Sequence, residues 1–323
     1  MSLPLVSYVL ICFNQEAFIA GAIKSALDQD YQHLEIIISD DQSTDGTFAS
    51  AQAAIQASAD PGRVQLIRTP RNLGLIGNLT FACNQARGDL IVIAAGDDIS
   101  LPHRTSRLVD AWVRTGCSIV HSDFDMIDEL GAIDSAGRPI ADRHRFNAGP
   151  LFKKDKIYGF AGATAAYAAD LVRDAALPDD AGAEDIALLF FCLAHGRCIT
   201  KVDERLVLYR KHAGSLSHQA HASLLEDELV DSRASKLGLQ SLAYLRRIYE
   251  QTPHSDVRER IDVARLRREI DLNRFRSEWM QRSTFDRMKW LITCHDRQLA
   301  RWLAPRVFGF RGLALLRRLM RGA

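Results

Sequence analysis

The chain has 323 residues, is 47% hydrophobic and carries a formal net charge of +1. That is enough apolar material for one large globular domain with an appendage, or for two domains. No stretch approaches the eighteen or so consecutive apolar residues of a membrane-spanning helix, which excludes an integral helical membrane protein as the reading of this sequence. The near-neutral charge hides an asymmetry: from Arg282 onward there are ten Lys/Arg against two acids, a net of about +8, so the rest of the chain carries about −7.

Taken in order, the sequence alternates strands with helices. Leu5 to Phe13 is apolar and rich in β-formers. No Lys or Arg precedes it and no small-residue cleavage site follows, so it reads as a first strand rather than a secretory leader. A helical pattern follows with apolar Phe18, Ile19, Ala22, Ile23, Ala26 and Leu27, then a second strand from Leu34 to Ser39 that runs straight into Asp40 and Asp41. A helix is predicted from about Thr47 to Ala59, broken by Pro61-Gly62, then a short strand from Val64 to Ile67 and a helix from about Ile76 to Arg87. Leu90 to Ala95 is a fourth apolar strand, and it too stops at a paired acid, Asp97-Asp98, after Gly96. A helix to about Arg114, a strand from Ser118 to Phe124, an aperiodic insertion over 128 to 155 and a small-residue stretch from Gly159 to Ala169 come next. Glu184-Asp185 then opens a helical run to Ala194, Ile199 to Tyr209 is strand-like, and everything beyond about Ala220 is helical in pattern.

Strands alternating with ten- to fifteen-residue helices mean β-α-β units and a mainly parallel sheet. Ligands of such sheets bind beyond the carboxyl ends of the strands, so both Asp-Asp pairs are expected on one edge, suited to a divalent cation and phosphate oxygens.

Several segments together carry a resemblance to a family. Ser7 to Asn14 with its Phe13-Asn14 ending, Ser25-Ala26-Leu27-Asp28-Gln29, and Glu35 to Gly46 (Glu-Ile-Ile-Ile-Ser-Asp-Asp-Gln-Ser-Thr-Asp-Gly) resemble successive blocks of the family 2 glycosyltransferases of the GT-A fold. So do Asn72-Leu73-Gly74 with Asn78, Ala86 to Asp89, Gly96-Asp97-Asp98 with Pro102, and Glu184-Asp185. The resemblance covers roughly residues 4 to 218. It implies a GT-A α/β domain over 1–218, with 219–323 as a helical extension, and an inverting, metal-dependent transfer from a UDP-, GDP- or dTDP-sugar to a glycan or lipid-linked acceptor. A role in surface polysaccharide biosynthesis and a cytoplasmic location would follow.

The resemblance also assigns residues. Phe13, Asp41, Asn78 and Asp97 fall to nucleotide binding, with Asp41 accepting hydrogen bonds from the base; a turn or N-cap aspartate is the competing reading for Asp41. Asp98 is the direct ligand of Mn²⁺ or Mg²⁺, which prefer carboxylate, water and phosphate oxygen and use only one or two protein carboxylates. Ala95 stands where the first acid of the common Asp-x-Asp-Asp form lies, a departure that keeps a catalytically silent nucleotide-sugar binder or scaffold open as an alternative. Asp185 falls to the general base, supported by Glu184, against a helix-capping pair. His212 falls to the metal shell, with Arg210 and Lys211 offsetting diphosphate charge, against a plain surface histidine.

A sugar nucleotidyltransferase would need a Gly-rich phosphate loop after the first strand, where Cys12-Phe13-Asn14-Gln15 stands, and the G-x-G-x-x-G of a dinucleotide oxidoreductase is missing. The tail interleaves Trp279, Phe285, Trp290, Trp302, Phe308 and Phe310 with arginines. It reads either as an interfacial amphipathic segment on a membrane surface or as a helical cap or homo-oligomer face. No nucleic-acid-binding module accompanies the arginines, so nucleic acid is not an expected partner. The six cysteines form no C-x-x-C pair and are expected as reduced core thiols.

Overall fold

The computed structural model describes residues 3–133, 148–154, 157, 159–212, 214–215, 224–252, 255–278 and 283. Eight strands form one sheet: β1 (Val6–Cys12), β2 (Leu34–Asp40), β3 (Val64–Arg68), β4 (Leu90–Ala95), β5 (Ile99–Ser100), β6 (Ile119–Ile127), β7 (Ala165–Ala168) and β8 (Ile199–Arg210), in the order β3-β2-β1-β4-β7-β6-β8-β5. The helices are α1 (Ile19–Leu27), α2 (Thr47–Gln56), α3 (Gly74–Cys83), α4 (Arg104–Thr115), α5 (Ala169–Ala175), α6 (Glu184–Ala194), α7 (Leu224–Gln251), α8 (Ser255–Arg260) and α9 (Val263–Ser277).

Four strand pairs are parallel, β1 with β2 and β4, β2 with β3, and β6 with β8. Three are antiparallel, because β7 runs against both β4 and β6, and β5 against β8. Two reversals across β7 return β6 and β8 to the direction of β4. The C-terminal ends of β1, β2, β4, β6 and β8 therefore share one edge with the start of β7, and the loops after β1, β2, β4 and β8 described below leave the sheet there.

Alternation along the central strands sends side chains to two covered faces. Tyr8, Leu10, Ile36, Ile38 and Val92 pack with Ile19, Ile23 and Ala26 of α1, Ala51 and Ile55 of α2, and Leu108 and Val109 of α4. The intervening residues Val9, Ile37 and Ile91 are equally buried and face the opposite side, where α3 crosses β1 and β2. Near-continuous burial of β1, β2 and β4 accounts for their apolar sequences.

Among the described residues, those up to 215 together with 240–266 form one compact unit, and 224–239 with 267–278 belong to a second. Within the first unit the later helical residues are tied down: Tyr244 Oη donates to the Ala175 carbonyl (2.7 Å), Arg247 pairs with Asp180 (2.8 Å), and the Asp262 amide donates to the Leu151 carbonyl (2.8 Å). In the second, Gly238 lies against the Asn273 side chain. No described helix is long and apolar enough to cross a membrane.

Two expectations need correction. The stretch from Gly159 to Ala169, featureless by sequence, holds a 3-10 turn (Gly162–Thr164) and the fully buried strand β7. The cysteines are not all reduced: Cys117 and Cys198 form a disulfide with their Cα atoms 4.7 Å apart, while Cys12, Cys83 and Cys192 are free. Parallel pairing of β6 with β8 sets residues 117 and 198 side by side, the Ser118 amide donating to the Cys198 carbonyl at 3.0 Å. A juxtaposition across that sequence separation carries no local signal. Cys294 and most of the aromatic, basic tail lie outside the described residues.

Candidate active site

The edge is built from loops fastened to one another. After β1, Asn14 adopts a left-handed φ of 51°, a conformation Asn tolerates. Its amide donates to Ser43 Oγ (2.9 Å) and its Oδ1 accepts from the Thr44 amide (2.8 Å), while the Gln15 amide donates to Thr47 Oγ1 (2.7 Å). The loop after β1 is thus sewn to the loop after β2, and Phe13 stands 43% exposed on top.

Asp40 is fully buried and satisfied, with Oδ2 accepting from Arg68 Nε (3.0 Å) and the Ser43 amide (3.1 Å). Asp41, 3% exposed, accepts from Thr69 Oγ1 (3.1 Å) and the Leu73 amide (2.7 Å) at one oxygen, and from the Gly74 amide (2.8 Å) at the other. It organises the loop opening α3, where Gly74 has a φ of 74°. Asn78 is buried and clamps β2, donating to the Ser39 carbonyl (3.2 Å) and accepting from Ser39 Oγ (2.5 Å).

The end of β4 is arranged differently. Gly96 admits no side chain, since a Cβ there would meet Gln15 Oε1 at 2.6 Å and Cys12 Cβ at 2.7 Å. Asp97 and Asp98 follow, and β5 carries the chain at once onto β8, Ile99 opposite Leu208. That pairing brings the end of β8 to the two acids. The Arg210 amide donates to Asp98 Oδ1 (2.8 Å), Arg210 Nε to the Asp97 carbonyl (2.8 Å), and His212 Nε2 to Asp97 Oδ2 (2.9 Å). The Gly214 amide reaches His212 Nδ1 (3.2 Å), which leaves the ring proton on Nε2, aimed at Asp97. Phe18 lies 4.6 Å from the imidazole and 5.0 Å from the Arg210 guanidinium.

Arg210 Nη1 is spent on the carbonyls of Asp128 and Glu129, both at 3.0 Å, so this arginine, expected at a diphosphate, braces the loop backbone around Asp97. Lys211 is exposed, its amide bonded to the Ile127 carbonyl at 2.9 Å.

Asp98 is 6% exposed, and its Oδ2 is buried and accepts no hydrogen bond from the protein. Burial first, and then the neighbouring Asp97 charge, push its carboxyl well above the ordinary carboxylate range, against the Arg210 amide and the charges of Arg104 and Arg210. A buried carboxylate oxygen without a donor is costly unless a cation meets it, so the donor set fits a hard divalent ion. Among the described residues no group of three or more His, Cys, Asp or Glu side chains is placed to hold a metal ion.

Glu184 and Asp185 open α6. Asp185 Oδ1 accepts from its own helix's Ile186 amide (2.7 Å), and the Gly162 amide also donates to its carboxylate. Glu184 Oε1 rests on Gly162, where any Cβ would collide with it. Burial lifts Asp185 to about 6; burial and then the Asp185 charge lift Glu184 to about 8. Two buried carboxyls so close together do not both ionise freely near neutral pH, so the pair is suited to share one proton. Tyr167 of β7 lies within the field of both, its hydroxyl buried with no hydrogen-bond partner.

Sequence reasoning missed Arg104. It is completely buried at the start of α4, donating from Nη1 to Ser100 Oγ (2.8 Å) and from Nη2 to the carbonyls of Ile93 and Ala163 (both 2.7 Å). The available signal was an arginine on the same helical stripe as Leu108 and Ala111.

An edge of this kind, on a sheet with three consecutive β-α units, a late antiparallel return and acids at the strand ends, defines a GT-A nucleotide-binding domain. The Glycosyl transferase family 2 model matches residues 7–174, just over half of the chain, and the protein belongs to that family. Among curated relatives, the putative glycosyltransferase EpsE of Bacillus subtilis is 37% identical over 106 residues, 33% of this chain and 37% of that protein. The succinoglycan biosynthesis protein ExoO of Rhizobium meliloti is 33% identical over 124 residues, 38% of this chain and 34% of that one. The chain thus spans little more than a third of the length of these two relatives. Among solved structures, mannosyltransferase PcManGT from Pyrobaculum calidifontis, in complex with GDP-Man and Mn²⁺, superposes with a TM-score of 0.55 at 14% identity, over 94% of this chain and 84% of that one.

Proposed function

We propose that the protein is a metal-dependent, inverting glycosyltransferase. It would move a sugar from a nucleoside-diphosphate donor, UDP-, GDP- or dTDP-linked, to a hydroxyl of a glycan or lipid-linked acceptor in the building of a surface polysaccharide. The observation that carries this reading is the buried, unpartnered Asp98 Oδ2 beside the His212-clamped Asp97, on the sheet edge that also bears Glu184 and Asp185. Family membership and the Mn²⁺-bearing fold neighbour support it.

Asp98, with Asp97 beside it, would hold Mn²⁺ or Mg²⁺, which would supply charge neutralisation to a departing diphosphate, while His212, with both ring nitrogens engaged, would orient Asp97 at the edge of the metal shell. The loop fixed by Asp41 and the clamp made by Asn78 shape the base-binding end beneath Phe13. Asp185, ionised at neutral pH, takes the proton of the acceptor hydroxyl, and Glu184 stays protonated beside it, so the pair carries one charge. A carboxylate acting on the acceptor from the face opposite the diphosphate suits single in-line displacement. Arg210 braces the metal loop, and Lys211 is the exposed cation at its rim. Residues 1–218 carry these groups, and the basic extension would bring a cytoplasmic enzyme to the inner face of the membrane or to a second copy of itself.

A thermal-shift screen of UDP, GDP and dTDP, each with and without Mn²⁺, followed by donor turnover, tests the reading. Selective stabilisation by one nucleotide that requires Mn²⁺, with slow hydrolysis of the matching donor, is expected. Stabilisation without turnover under any acceptor would instead favour the silent binder that Ala95 keeps open.

A further inference from the structure

The buried arginine of α4 is not explained by the chemistry assigned above, and its surroundings are unusual for a charged group. Arg104 is completely buried; its guanidinium is hydrogen-bonded to carbonyl and hydroxyl oxygens, Tyr8 among them, with the Asp98 charge near by but not bonded to it. Its Nε makes no hydrogen bond, and burial lowers its pKa from the ordinary arginine value against the Tyr8 and Asp98 contributions. A cation kept in that state is expensive, so the bonds it makes indicate what it is kept for. They join β5 to β4 and to the turn before β7 just past the last ladder pair of β4 and β7, Val92 with Ala166, where the sheet no longer fixes their spacing. Ile93 lies in β4, four residues before Asp97; Ser100 lies in β5, two residues after Asp98 and bonded to Tyr8 Oη at 2.7 Å; Ala163 lies in the turn before β7. That turn begins at Gly162, the residue on which Glu184 rests and whose amide donates to Asp185.

We propose that Arg104 is a positioning residue for sugar transfer, one buried guanidinium that spans the Ile93 and Ala163 carbonyls and so sets the spacing between the Asp97-Asp98 strand end and the Gly162 seat of Glu184-Asp185. This rests on the function proposed above and adds a residue to it. A planar fork is required, because an ammonium is a single point and cannot reach Ser100, Ile93 and Ala163 in the geometry a guanidinium presents. The groups that face Asp185 are Glu184 on its own helix, the Gly162 amide and the Tyr167 hydroxyl. Loosening the turn removes one of the amides that keep the Asp185 carboxylate ionised.

The test compares R104K and S100A with the wild type for donor and Mn²⁺ thermal shift, kcat, donor KM and the pH dependence of kcat. For R104K a nucleotide and Mn²⁺ shift of wild-type size is expected, with donor KM within about threefold, kcat down by about 10- to 100-fold and the acid limb of the pH profile moved upward. S100A removes one arm of the fork, and is expected to shift in the same direction by a smaller amount. Activity lost only in proportion to folded protein, with the pH profile unmoved, overturns the proposal, as does an R104K enzyme with wild-type kcat. Should R104K fail to fold, a wild-type pH profile in S100A overturns it equally. A wild type without turnover removes the functional reading and this inference together, whereas an active wild type with an unaffected R104K removes this inference alone.

Discussion

Asp40-Asp41 and Asp97-Asp98 are the same dipeptide at the ends of two strands of one sheet, and the protein treats them in opposite ways. The first pair is fully paid for by its surroundings: both oxygens of Asp41 and Oδ2 of Asp40 accept hydrogen bonds from side chains and amides of the adjoining loops. In the second, Asp97 is partly exposed and Asp98 is buried but left short, with its Oδ2 unpartnered, and Asp98 shares with Glu184 and Asp185 the condition of acids lifted out of their ordinary range by burial. Satisfied acids hold a shape; on the function proposed above, the unpartnered oxygen of Asp98 would meet a cation, and the burial that lifts Glu184 and Asp185 suits them to exchange a proton.

That contrast can be broken by matched substitutions. The largest effect is expected from D98N, with transfer falling by about a thousandfold or more while thermal stability is held or raised, because a carboxylate lacking a donor is replaced by a neutral amide. Steady-state rates and melting curves on one preparation check both halves. D185N follows, with a loss of about 10²- to 10⁴-fold, and the wild-type rate should fall away below pH of about 6 as Asp185 takes up a proton. An unchanged acid limb would contradict its role as base.

D40N should show the reverse balance, since it leaves Arg68 Nε facing a weaker acceptor at a fully buried site. A loss of about 1–3 kcal/mol in stability is expected, with activity reduced mainly through the folded fraction, read by denaturant melts beside assays at low temperature. The smallest effect sits in the pH dependence of stability. Glu184 has a folded pKa of about 8 against an ordinary 4.5, so its contribution is fully present below 4.5 and is lost as pH rises through about 8. E184Q should flatten that decline in melting temperature, and a slope identical to wild type would remove Glu184 from the account.

The contrast also explains what sequence could and could not provide. The central strands were legible because burial on both faces demands continuous apolar runs, as in Leu34–Asp40 and Leu90–Ala95, each cut off by acids. β7 was not, because four residues reading Ala-Ala-Tyr-Ala lack the branched side chains that mark a strand, and pairing with β4 and β6 overrides that weak propensity. Residue types at the site were legible by resemblance, but their division of labour was not. Whether Asp41 or Asp98 has an unsatisfied oxygen depends on amides far along the chain, that of Gly74 33 residues from Asp41 and that of Arg210 112 residues from Asp98. The same holds for Arg104, whose partners at Ile93 and Ala163 no local pattern reveals, and for the Cys117–Cys198 disulfide.

The central claim is that Asp98 is kept short of a hydrogen bond in order to hold a divalent cation against a diphosphate. Electron paramagnetic resonance of Mn²⁺ titrated into wild-type and D98N protein, each with the stabilising nucleoside diphosphate, measures this directly. Stoichiometric bound Mn²⁺ in the wild type and its loss in folded D98N is the predicted result; equal binding by both would contradict the account.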